Sequence, residues 1–191
     1  YNYKLASGAQ PSEAEFAELK ELGFEAIVNL SPASTRNALA NEALIIEKTG
    51  MHYVHFPVDC SNLKKFHYTT FEGIMNGLKG KKVFVHCGGN IKSSNLIHMY
   101  NVLANNQDER KSLETLYKIQ LPEDKWFDYF KLMGMEGSRR CGAHEVRLPG
   151  GDRLQQAVVE LMEGRVVNYF EFRDELPMTE WLGGLIEVKC D

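Results

Sequence analysis

The residues best able to do chemistry are gathered in one window, Lys81 to Leu96, which reads KKVFVHCGGNIKSSNL. A short apolar run ends in His86-Cys87, two glycines follow, and Lys92, Ser93 and Ser94 open what reads as a helix. A strand, a tight loop and a helix N-terminus together aim backbone N–H groups at one point, where the helix dipole adds positive potential. Gly88 and Gly89 let such a loop curl closely around a tetrahedral anion. The amides of Gly88, Gly89, Asn90, Ile91, Lys92 and Ser93 are therefore the expected phosphate-binding set. A cysteine at the mouth of the loop feels the same potential, which favours the nucleophilic thiolate. Thiolate attack on a bound phosphoryl group needs an acid to protonate the leaving oxygen. Asp59 is the best candidate. It follows the apolar run MHYVHFPV (51–58), which places it at the C-terminal end of a neighbouring strand, the edge where parallel sheets collect their ligands.

Blander roles compete for each of these residues. Cys87 could close a core strand as a buried thiol, Asp59 could shape the turn after Pro57, and Lys92 could be a solvated loop charge. Ser93 and Ser94 are equally suited to cap a helix. His86 is expected to support the loop by hydrogen bonding. His52 and His55 are oddly spaced on a strand and so point to opposite faces, and neither a metal nor another cofactor is called for.

The elements that must position these groups can be read outward from the window. From Pro11, PSEAEFAELKELG is an amphipathic helix stopped at Gly23. Strands are expected over 24–30, 51–58 and 82–86, with helices over 37–48 and 66–78 between them. This alternation predicts an α/β fold, a mostly parallel central sheet flanked by helices. Further helices are expected over 94–103, 109–119 and 123–133. The composition shifts at GMEGSRR (134–140), so a main domain over 1–137 and an α+β extension over 138–191 are expected. Within the extension, a helix over 152–163 and strands over 166–172 and 185–189 suggest a small βαββ unit, packed on the main domain or on a partner.

The chain has 191 residues, 22 Lys plus Arg against 26 Asp plus Glu, and a formal charge of -4. No general basic field attracts nucleic acid, and no apolar run approaches the roughly 20 residues that cross a bilayer. A soluble protein is expected. It would be cytoplasmic or, if a signal peptide preceded Tyr1, periplasmic. The four cysteines lack the spacing of a zinc site or a disulfide scaffold.

These residues resemble the cysteine-based protein tyrosine and dual-specificity phosphatase superfamily, in its compact bacterial phosphatase-like branch. The resemblance spans residues 3–133 and rests on Ser7-Gly8-Ala9-Gln10-Pro11-Ser12, on Gly23-Phe24 with Ile27-Val28-Asn29-Leu30, on His55-Phe56-Pro57-Val58-Asp59, and on Val85-His86-Cys87. It implies a hydrolase for phosphate monoesters, phosphotyrosine or phosphoprotein among them, working through a cysteinyl-phosphate without a cofactor. Cys87, Asp59, Lys92 and Ser93 would be the catalytic set, and the partner would be a phosphorylated substrate. The superfamily closes its loop with an arginine. With four residues between the cysteine and the closing position that position is Lys92, and with five it is Ser93; the alignment is taken on Lys92. Lysine supplies charge but not the planar fork that grips two phosphate oxygens, so impaired activity is expected. Two alternatives stay open: a phosphate-binding module without turnover, and a rhodanese-like sulfurtransferase.

Overall fold

The computed structural model describes residues 4–135, 139–162, 165–172 and 179–189. The chain divides into two compact units, Tyr1–Gln107 and Asp108–Asp191.

The first unit alternates β1 (Leu5–Gly8), α1 (Glu13–Glu21), β2 (Ala26–Asn29), α2 (Glu42–Thr49), β3 (His52–His55), α3 (Lys65–Gly77), β4 (Val83–His86) and α4 (Ile91–Leu103). The four strands form one parallel sheet in the order β1-β4-β2-β3. Local chemistry starts and stops the helices. Ser12 caps α1 in a reciprocal box, its Oγ accepting from Glu15 N–H at 3.3 Å while its own N–H donates to Glu15 Oε2 at 2.7 Å. Gly50, at φ 72°, ends α2 in the left-handed conformation that glycine adopts without strain. Phe16, Phe24, Ile27, Ile46 and Met51 form a buried cluster that joins α1 and α2 to one face of the sheet. Burying such side chains contributes roughly 1.5–3 kcal/mol each.

The register positions the site. Gly8 lies level with His86, His86 with Asn29, and Asn29 with His55, so all four strands finish along one line. Pairing runs one residue further through Leu30 N–H to His86 O at 2.9 Å and Val58 N–H to Leu30 O at 3.1 Å.

The second unit holds α5 (Glu109–Tyr117) and α6 (Asp124–Leu132), followed by β5 (Arg139–Arg147), β6 (Arg153–Met162), β7 (Arg165–Glu171), β8 (Glu180–Trp181) and β9 (Leu185–Glu187). Trp126, Phe127, Tyr129 and Phe130 are all buried on α6. The strands form a mixed sheet in the order β7-β6-β5-β8, with β9 also paired to β5. The helix expected over 152–163 is therefore corrected to a strand over its described part, and the βαββ unit to strands alone among the described residues. Glu163 lies outside them. The reason is a phase shift that the two paired strands share. Cys141 faces Val159 and Ala143 faces Ala157, and the next apolar rung, Val146 with Leu154, comes three residues on instead of two. Gln156, at φ 45°, stands where the phase changes. A spacing of three in a strand mimics helical periodicity, and the β-branched Val158 and Val159 favour the extended form.

Candidate active site

β4 delivers Cys87 to the line on which the strands end. Cys87 is 2% exposed, forms no disulfide, and donates its backbone N–H to Gly8 O at 3.4 Å. Gly88 and Gly89 carry the chain off the sheet, and Asn90, at φ 65°, makes the left-handed turn into α4. The first helical bond reaches back to that turn, from Ser94 N–H to Asn90 O at 3.1 Å. Helix geometry leaves the N–H groups of the first turn to other acceptors, and Lys92 and Ser93 belong to that turn. Ser93 is fully buried, and its Oγ has no hydrogen-bond partner among the described residues. Ser94 Oγ donates to Asn90 O at 2.7 Å, a back-bond within the first turn of α4, whose N-cap is Asn90.

The other wall of the loop comes from the segment after β2. A Cβ on Gly88 would meet Thr35 Cγ2 at 2.9 Å and Asn37 Oδ1 at 3.3 Å, so only glycine fits there without a shift. Asn37 Nδ2 donates to Gly88 O at 2.9 Å, and Ser31 contributes a second buried hydroxyl without a partner among the described residues. Ser31 is oriented by its N–H bond to Asn29 Oδ1 at 2.8 Å and by His55 Nε2, which donates to Ser31 O at 2.7 Å. The sequence reading did not single out Ser31 or Asn37, because they stand more than fifty residues from the loop they touch.

Asp59 is exposed and lies four residues beyond the end of β3, whereas Cys87 directly follows β4; β2 stands between these two strands, so the expectation that Asp59 ends a strand neighbouring β4 is corrected. Asp59 Oδ1 accepts from Ser61 Oγ at 2.7 Å and from Ser61 N–H at 2.9 Å. These bonds, helped by the positive charge of Lys92, hold the Asp59 carboxyl below its ordinary range. The structure thus brings together the loop 88–93, Cys87, Lys92 and Asp59 at one sheet edge.

Beneath the loop lies a polar group that sequence reasoning missed altogether. Glu42, at the start of α2, is 4% exposed and accepts from His86 Nε2 at 2.9 Å, Asn29 Nδ2 at 2.9 Å and Gln10 Nε2 at 2.6 Å. The Tyr53 hydroxyl, which accepts from Asn29 Nδ2 at 3.1 Å, stands close enough for the Glu42 charge to act on it. Burial pushes the Glu42 carboxyl up, but the hydrogen bond from His86, with Gln10 and Tyr53, outweighs burial and holds it below its ordinary value. Burial, reinforced by the Glu42 charge, pushes the Tyr53 hydroxyl up to about 12.

A DUF442 phosphatase candidate from Shewanella putrefaciens CN-32 is 30% identical to this chain and superposes with a TM-score of 0.62, covering 69% of this chain and 85% of that one. The chain belongs to the cysteine-based phosphatase superfamily. Two further phosphatases establish the fold at lower identity. Tk-PTP in its active form is 20% identical over 68% of this chain and 90% of its own, with a TM-score of 0.59. Kinase-associated phosphatase, solved with its catalytic-site cysteine replaced by serine, is 13% identical over 68% and 84%, with a TM-score of 0.61. No protein-family model and no curated protein matches the sequence. The expected superfamily and its parallel sheet agree with these neighbours. Among the described residues of this phosphatase-like chain, no helix is long and apolar enough to cross a membrane.

Proposed function

We propose that this chain hydrolyses phosphate monoesters through a cysteinyl-phosphate intermediate. The observation that carries the reading is the junction of β4 and α4, where Cys87 opens a loop whose far side holds Lys92 and the buried, unpartnered Ser93 hydroxyl. The Cys87 thiolate attacks phosphorus, the bond to the leaving oxygen breaks, and Asp59 protonates that oxygen. Water then attacks the thiophosphate, Asp59 takes its proton, and phosphate departs with the thiolate restored. The Lys92 charge is felt at Asp59, which supports a phosphoryl group lying between the loop and that carboxyl. Loop amides, Lys92 and Ser93 would hold its oxygens.

Hydrolysis of p-nitrophenyl phosphate tests the reading. Cys87→Ser abolishes turnover while inorganic phosphate still binds, and Asp59→Asn depresses turnover. A metal-dependent activity indifferent to Cys87 overturns it. Lys92 favours a second reading, a phosphate-binding module without turnover, because lysine lacks the bidentate fork. Lys92→Arg separates the two. A rise of about 10²–10³ in kcat marks a native site held back by its lysine, corresponding to about 3–4 kcal/mol of transition-state stabilisation. A native protein that already turns over well and gains little from the change removes the binding-only reading.

A further inference from the structure

We infer that Glu42 is a positioning residue for the Cys87 loop, acting through His86. The inference deepens the phosphatase reading and rests on it. Glu42 receives donors from Gln10 after β1, Asn29 on β2 and His86 on β4, and Asn29 also donates to the Tyr53 hydroxyl on β3. A carboxylate suits this place because it offers about four acceptor positions and no donor. A buried charge is costly unless so satisfied, and the same bonds tie the ends of the sheet to one point beneath the loop.

His86 links that point to the nucleophile. It is fully buried, and its Nδ1 has no partner among the described residues. A proton on Nδ1 would leave a buried N–H unsatisfied, whereas a proton on Nε2 points at Glu42 Oε1 2.9 Å away. Glu42 thus selects the tautomer and the ring orientation of the residue that immediately precedes Cys87. The ring is further braced edge-on by Phe16, with centroids 5.8 Å apart, and the His86 carbonyl holds Leu30 N–H. The backbone that carries the sulfur therefore has its direction set from below by an α2 carboxylate.

Glu42→Gln tests this because it keeps the size of the side chain and sets an NH₂ group against existing donors. Three readouts are taken per folded molecule: kcat on p-nitrophenyl phosphate, calorimetric Kd for inorganic phosphate, and the rate at which iodoacetamide alkylates Cys87. We expect kcat to fall about 10- to 100-fold, with weaker phosphate binding and an altered alkylation rate. In a His86→Asn background the same change should add little, since the two residues act in series. A purely structural role would lower the folded fraction and leave all three readouts unchanged, and that result overturns the inference, as does full additivity with His86→Asn. Should Glu42→Gln not fold, Glu42→Asp keeps the charge and draws the carboxylate back from His86, and the same readouts decide. The phosphatase reading fails separately, if Cys87→Ser leaves hydrolysis intact; Kd and alkylation then still report on Glu42.

Discussion

In the proposed cycle Asp59 is an acid in one half and a base in the other, and its surroundings favour the second task. Two bonds from Ser61 and the charge of Lys92 keep it ionised. The protonated form that serves the leaving oxygen is therefore scarce at neutral pH. Ser61→Ala removes the largest cause of the lowered value, so the Asp59 carboxyl rises toward its ordinary range. The alkaline limb of kcat/KM, which reports loss of the acid form in the free enzyme, should move to higher pH. A pH profile on an aryl phosphate measures this, and a limb that stays in place would show that another group is the acid.

At the scale of elements, the loop is confined between α4 and the segment after β2. Gly88→Ala drives a Cβ into Thr35 Cγ2, which stands 2.9 Å from the ideal position and is part of a β-branched, stiff side chain. The loop must then shift, with a stability cost of about 1–3 kcal/mol and weaker binding of inorganic phosphate. Thr35→Ser deletes that methyl and should restore most of both in the double variant, as read by thermal unfolding and calorimetry. Clashing pairs of this kind are strongly non-additive, so simple additivity would place the constraint elsewhere. The β4–loop–α4 unit was legible in the sequence because its signals are local: a β-branched run, two glycines and helix formers in succession. The β5–β6 pair misled for an equally local reason, since the three-residue apolar step at Leu154 and Ala157 carries no mark that Gln156 takes a positive φ.

Acid stability belongs to the whole fold. Burial alone pushes His98 down to about 3 from its ordinary 6.5. Between those values the unfolded chain binds a proton that the native chain refuses, so stability falls as pH falls through this range. The slope is about 1.4 kcal/mol per pH unit. Glu42 acts in the same direction further down: its lowered value contributes stability above its ordinary 4.5, lost as pH drops through the still lower native value. Denaturant melts from pH 7 to 4 should show a declining midpoint that His98→Gln flattens. A profile unchanged by that substitution would mean that His98 takes up its proton without unfolding.

The sequence by itself determined the α/β alternation and the helix that follows Cys87. Each depends on side chains within a few positions of one another, where propensity and periodicity act directly. Asp59, expected at the end of a strand neighbouring β4, lies instead four residues beyond β3 with β2 in between. Only the tertiary structure decided that β4 lies between β1 and β2, that Thr35 and Asn37 wall the loop, and that Glu42 meets His86 across a separation of 44 residues. Strand order, register and the pairing of a buried acid with its donors arise when distant segments satisfy one another's hydrogen bonds in a common core. Glu42 sits in a stretch, NEALIIEKT, that reads as an ordinary exposed helix start, and nothing near it in the chain shows that the folded sheet will close over it.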